Sequence, residues 1–300
     1  MLKDTSYALV RRLFFVENAI REYMRRGGNS PVVVADIGCG TGELLTIPLS
    51  VNLGNNVVIY AYEPEVVTFQ NLKSRIEELG IQNIRPIQDK GSLQNLACDA
   101  IILSEVIEHV EDPVVFLNEL KRLLKLFGVM IITTPNGYGI FELETLIFNT
   151  LDAIGIVPLL RKIKRSVFQT HNNLIRLPTA DTLAISPHIN FFMLSDLNQI
   201  IAEAGLSLKK IEGKHLAAGP FSDRIINRSE KLIKLNAYLG EKLPLALVAG
   251  WMLITEKTKD QSTRMKYSDL KNRVNLFRKV YSKYKSWLNV YVTQDRNRNH

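Results

Sequence analysis

The sequence predicts an α/β chain built on a doubly wound, mostly parallel sheet. Apolar runs near residues 32–37, 57–62, 84–88, 99–104 and 128–134 alternate with amphipathic stretches, as strands covered by helices on both faces do. The first run passes into Asp36-Ile37-Gly38-Cys39-Gly40-Thr41-Gly42, a glycine-rich turn between strand and helix. After the fourth run, Asp112-Pro113 supplies a helix N-cap followed by proline in the first turn.

The elements follow in order. Residues 7–26 read as an amphipathic helix with Leu9, Leu13, Val16, Ile20 and Met24 on one side, ended by Gly27 to Pro31. Further helices are predicted over 43–53, 65–79, 113–126, 195–204 and 223–238, and strands over 206–212 and 250–256 complete the sheet. Pro48 falls inside the 43–53 helix, where it is expected to remove a hydrogen bond and kink the chain. The chain thus divides into an N-terminal helix (1–30), a main domain (31–256) and a C-terminal appendage (257–300). Insertions at 137–187 and 214–249 interrupt the main domain.

Composition supports a chain able to bury a sizeable core: 46% of its 300 residues are hydrophobic and 8% aromatic. The two cysteines, Cys39 and Cys98, lack metal-ligand spacing, which fits a reducing compartment. Lys3, Asp4, Arg11 and Arg12 break up any N-terminal signal, and no apolar run reaches the length of about 18 residues that a membrane span needs. The expected location is cytoplasmic.

The glycine turn carries the chemistry. Gly38, Gly40 and Gly42 allow the backbone to turn with φ > 0 and to approach a ligand closely. The following helix turns its positive end toward that ligand. Glu63, at the end of the second strand, is placed to accept hydrogen bonds from a ribose diol. A dinucleotide fingerprint would need glycine where Glu43 stands. With Asp36, Glu43 makes a field that disfavours a pyrophosphate and favours a cationic adenosyl ligand.

On these residues the chain resembles the class I S-adenosylmethionine-dependent methyltransferases over most of residues 30–256. The segments Cys98 to His109, Ile131 to Asn136 and Ser186 to Phe192 bring it nearest to the ubiquinone-biosynthesis O-methyltransferase type. The resemblance implies a seven-stranded Rossmann-like sheet with an antiparallel final strand. It implies S-adenosylmethionine held by Asp36, Gly38, Gly40, Gly42 and Glu63, with Asp89 near the adenine and Ser104 at the end of the fourth strand.

Glu105, Glu108 and His109 follow that strand at spacings that place all three on one face if the turn is helical. His109 has an unperturbed pKa near neutrality and is a candidate general base. The alternative is that the three hold Mg²⁺ or Mn²⁺, with His188 as a weaker fourth ligand, as the resemblance to metal-assisted enzymes implies. Asn136 and Tyr138 are expected after strand five at the same crevice, Tyr138 as lid packing more than as pocket wall. Phe191-Phe192-Met193 is expected in the core.

The expected reaction is O-methylation of a small, partly apolar hydroxylated acceptor. Metal-assisted 2′-O-methylation of RNA 3′ ends and a non-catalytic cofactor-binding scaffold are the alternatives. The 137–187 insertion is expected as a lid over the crevice or a small helical subdomain. Its apolar stretch followed by Arg161, Lys162, Lys164 and Arg165 also suits peripheral membrane contact.

Residues 257–300 hold 12 Lys/Arg against 3 Asp/Glu, a net of +9, so the remainder sums to −1 against +8 overall. Tyr267, Leu270, Val274, Phe277, Tyr281, Tyr284, Leu288 and Tyr291 recur there in steps of three and four. This stripe predicts a basic amphipathic helix folded back on its own domain or on a partner, with anionic lipid or nucleic acid as the sharper alternative.

Overall fold

The computed structural model describes residues 7–27, 30–139, 189–217, 221–226 and 228–258, with scattered positions between 144 and 156. Its strands are β1 (Val32–Ile37), β2 (Val57–Tyr62), β3 (Ile84–Ile87), β4 (Cys98–Ser104), β5 (Leu124–Pro135), β6 (Leu206–Gly213) and β7 (Gly250–Lys257). Among the described residues these seven form one sheet in the order β3-β2-β1-β4-β5-β7-β6. Strands β1 to β5 pair in parallel, and β7 runs antiparallel to both neighbours. The predicted doubly wound architecture is therefore present, with the carboxyl ends of β1, β2, β4, β5 and β6 along one edge. Ligands bind at that edge in open α/β sheets.

The helices are α1 (Tyr7–Arg25), α2 (Thr46–Leu53), α3 (Val66–Glu78), α4 (Pro113–Leu123), α5 (Leu194–Glu203), α6 (Ser222–Ile226) and α7 (Glu230–Lys242). Alternation along the strands sends Val34 to one face and Ala35 to the other. Under the first face lie Val16 and Ile20 of α1, Leu49 of α2 and Leu72 of α3. Under the second lie Leu117 of α4 with Leu197 and Ile201 of α5. Ile20, fully buried, contributes on the order of 2 kcal/mol of apolar transfer. The helix set apart at residues 1–30 thus shares the main domain's core.

Asp99 ties that helix to the sheet. Its buried carboxylate accepts hydrogen bonds from Tyr23 Oη (2.8 Å), the Val33 amide (2.9 Å) and Lys125 Nζ (2.9 Å). Burial first, then this bond and the Asp99 charge, push the Tyr23 phenol up to about 12. The charge is fully partnered.

Several boundaries differ from the expectation. The helix after the glycine turn begins at Thr46, so Pro48 sits in its first turn. Amides there have no intrahelical partner, and the expected loss does not arise. Helix α4 stops at Leu123 because Leu124 pairs with Cys98, and strand pairing overrides the amphipathic pattern that continued to 126. The single helix expected over 223–238 is two, α6 and α7. No helix among the described residues is long and apolar enough to cross a membrane.

Candidate active site

The glycine turn is fastened to the end of β2. The amides of Gly38 and Cys39 donate to Tyr62 O at 2.8 and 3.1 Å, and the Gly40 amide donates to Glu63 Oε2 at 2.9 Å. Glu63 Oε1 accepts from the Glu65 amide at 2.9 Å, so both carboxylate oxygens are fixed at the crevice. Gly38, Gly40 and Gly42 take φ values of +68°, +61° and +74°. They differ in what surrounds them. A Cβ on Gly42 would stand 2.7 Å from Leu72 Cδ1, whereas one on Gly40 would meet nothing within 4 Å. Gly42 is required by packing, and Gly40 opens onto space that a ligand can fill.

Asp36 ends β1 beneath this turn, almost fully buried, and accepts from Thr46 Oγ1 at 2.7 Å. Burial raises its carboxyl to about 6, against the opposing effects of Thr46 and Arg12. Arg12, from α1, lies close enough to lower both Asp36 and Glu105, yet its buried Nε has no hydrogen-bond partner among the described residues. Glu43, by contrast, does not sit at a helix N-terminus. It pairs outward with Arg75 at 3.3 Å, so the negative field at the cofactor loop comes from Asp36 and Glu63.

The turn after β4 departs furthest from the expectation. Glu105 leaves the strand with φ +58°, a left-handed backbone that costs a residue with a Cβ on the order of 1 kcal/mol or more. Its carboxylate accepts from Thr133 Oγ1 at 2.6 Å and forms an ion pair with Lys214, just past β6. Burial would raise this carboxyl, but Lys214 and then Arg12 hold it well below the ordinary range. Ser104 Oγ lies 3.4 Å from Thr133 Oγ1 and joins the same network.

Ile107–His109 form one 3-10 turn. Glu108 is fully buried, and its Oε2 accepts from Thr134 Oγ1 at 3.1 Å. The Glu108 carbonyl accepts the amides of Ile189 and Asn190 at 2.9 Å, and Asn190 Nδ2 donates to Val110 O at 2.6 Å. The expected shared face of Glu105, Glu108 and His109 is therefore corrected. The left-handed residue and the tight turn separate the carboxylates, one toward Lys214 and one beneath β5. Among the described residues no group of three His, Cys, Asp or Glu side chains is placed to hold a metal ion. His188 and most of the 137–187 insertion lie outside the described residues.

The remaining candidates divide between ligand and framework. Asp89 caps a one-turn helix over Lys90–Leu93, accepts from the Ser92 amide at 3.0 Å and is exposed. Its position after β3 is on the Glu63 side of the sheet edge. Asn136 is buried framework, donating to Val248 O at 2.9 Å and accepting from the Tyr138 amide at 3.1 Å, so it does not line the crevice as expected. Tyr138 is exposed; Phe191 and Phe192 are buried as expected, whereas Met193, at the start of α5, is exposed. Arg12, Thr46, Thr133 and Lys214 are site residues that sequence reasoning missed. The Thr133-Thr134 pair at the end of an apolar strand is the one visible signal among them. His215, beside Lys214, is held down to about 4 by burial and then by that lysine, so it is neutral at pH 7.

A family model described as a methyltransferase domain matches residues 11–211. A ubiquinone biosynthesis O-methyltransferase from Pelagibacter ubique (strain HTCC1062) is 33% identical over 134 residues, 42% of this chain and 53% of that protein. One of the same name from Xanthomonas oryzae pv. oryzae (strain PXO99A) is 31% identical over 104 residues, 34% of this chain and 43% of that protein. The chain thus spans about half the length of the curated relatives it matches. The crystal structure of a SAM-dependent methyltransferase from Aquifex aeolicus aligns at a TM-score of 0.45 and 14% identity, covering 85% of this chain and 99% of that one. The sheet order, not this likeness, establishes the fold.

Proposed function

We propose that this chain, which belongs to the methyltransferase domain family, transfers the methyl group of S-adenosylmethionine to the hydroxyl oxygen of a small, partly apolar acceptor. The observation that carries this reading is the open space at Gly40, bordered by the fixed carboxylate of Glu63 and the buried Asp36. A backbone cradle with a carboxylate at its rim suits a nucleoside diol, and the buried carboxylate beneath it suits a ligand that brings a positive charge.

When bound, S-adenosylmethionine supplies an already activated methyl group on a sulfonium. What remains for the chain is orientation and one proton. In this reading Glu63 holds the ribose hydroxyls and Asp89 borders the adenine. Arg12 meets the carboxylate at the other end of the cofactor. Ser104, Thr133 and Glu105 form the crevice wall where β4 and β5 end. Glu105, held ionised by Lys214, is a poor proton acceptor. His109 is the side chain we assign to take the hydroxyl proton. O-methylation follows the relatives' name. The metal-assisted reading, and with it RNA 3′ ends, is less favoured, because no three His, Cys, Asp or Glu side chains among the described residues are placed to hold a metal ion.

The test is calorimetric titration of wild type and Gly40→Val with S-adenosylhomocysteine, followed by transfer of labelled methyl to catechol and quinol probes. Binding by wild type alone and label on a probe oxygen are expected. Binding that survives Gly40→Val would mean that the site is elsewhere. Binding without transfer to any hydroxylated probe would favour the scaffold reading.

A further inference from the structure

On the sheet face that also carries α2, a groove runs between α1 and the sheet edge. One part, of about 780 Å³, is lined by Val10, Phe14 and Phe15 of α1, Ile211 of β6, and Leu243 and Leu245 after α7. It continues along α1, past Ala19 and Ile254, to Arg26 and Glu256. From Val10 to Arg26 the path is roughly 24 Å at 1.5 Å per residue. Phe14 is 63% exposed and Val10 47%, one turn apart on the same helical face. Phe14 and Val10 stand exposed beside a floor that mixes Ile211, Leu243 and Leu245 with Lys210 and Lys242, and such a contiguous apolar strip marks a surface that something covers.

We propose that this groove is the docking site of the chain's own C-terminal stripe, Tyr267 to Tyr291. Three observations select that occupant. The first is continuity: β7 ends at Lys257, one residue beyond Glu256, so the chain leaves the sheet at the groove's lower mouth. The second is length. Nine residues separate Lys257 from Tyr267, and the stripe's 25 residues span roughly 36 Å as a helix, enough to line the whole groove. The third is charge. Glu22 and Glu256 at the lower mouth and Glu212 and Glu241 at the upper end are already paired with Arg26, Lys209, Arg11 and Lys210, so the groove is close to neutral. The stripe is flanked by Lys271, Arg273, Arg278 and Lys285. A second copy of the stripe would set those cations against one another, whereas the ion-paired groove carries no such surplus.

The test uses the full chain and limited trypsin digestion, which reports on the 11 Lys and Arg after Lys257. Docking predicts a protected tail whose cleavage rate is independent of protein concentration. It predicts at least tenfold faster cleavage in Phe14→Asp and no change in Val51→Asp, a control at another exposed apolar residue. The reciprocal variant Tyr281→Asp leaves the domain untouched and should speed amide exchange in residues 10–22 by a similar factor. Equal cleavage of wild type and Phe14→Asp, with exchange unchanged in Tyr281→Asp, would overturn the proposal. So would protection that disappears on dilution, which indicates a second copy. Protection that requires phosphatidylglycerol vesicles would overturn it as well, placing the stripe on a lipid surface.

Discussion

Lys214, the first residue after β6, closes an ion pair onto Glu105, the residue that leaves β4 with a left-handed backbone. The pair joins two strand ends separated by β5 and β7 in the sheet order. It fixes the turn that carries His109 and removes one carboxylate from the expected metal site.

Lys214→Met should leave the Glu105 charge without its nearest partner. The Glu105 side chain is 34% exposed, so solvent screens part of the cost and the expected loss is about 2 kcal/mol at pH 7. Because the folded-state pKa of Glu105 is lowered, the pair's contribution is present above the unfolded value and fades as pH falls below it. Urea unfolding at pH 7 and pH 3 should show a wild type–variant gap that narrows in acid. A constant gap would mean that packing of the lysine stem, not charge, is responsible.

Asp36 behaves in the opposite sense. Its pKa rises from 3.8 unfolded to about 6 folded, so the folded protein holds the extra proton between these values. Its contribution is most favourable below about pH 4 and declines as pH rises through 6, by roughly 3 kcal/mol. Asp36→Asn should therefore unfold at a higher urea midpoint than wild type at pH 7.5, with the advantage shrinking toward pH 4. Its affinity for S-adenosylmethionine should fall more than its affinity for S-adenosylhomocysteine, which lacks the sulfonium charge.

Two glycines of one turn should respond differently. Gly42→Val drives a side chain into Leu72 at positive φ and should cost at least about 3 kcal/mol of stability, read as a lower melting temperature. Gly40→Ala meets no protein atom and should cost only about 1 kcal/mol of backbone strain. Its S-adenosylhomocysteine affinity should nevertheless drop at least tenfold. Equal stability losses at the two positions would contradict the assignment of Gly40 to the ligand.

Arg12 supplies a guanidinium whose buried Nε has no hydrogen-bond partner among the described residues. Arg12→Leu should weaken S-adenosylhomocysteine binding at least tenfold while changing 5′-methylthioadenosine binding, which lacks the carboxylate, by less than twofold. Equal weakening of both ligands would show that Arg12 shapes the pocket without meeting the carboxylate.

What the sequence by itself determined lies where causes are local. Alternating strands and helices came from apolar periodicity. The turn at Gly38, Gly40 and Gly42 and the acids Asp36 and Glu63 came from residue chemistry at short spacing. Even there, one residue was misassigned: Glu43 looked like a ligand-facing carboxylate until Arg75, from α3, drew it outward. Tertiary structure alone decided the rest of the crevice. Spacing made Glu105, Glu108 and His109 neighbours, but the left-handed backbone at Glu105 and the hydroxyls of Thr133 and Thr134 sent the two carboxylates apart. Lys214 reaches Glu105 across 109 residues, and Arg12 arrives on a helix that precedes the first strand. Charge pairing over such separations depends on which strand ends share an edge of the sheet, and no local pattern of residues encodes that.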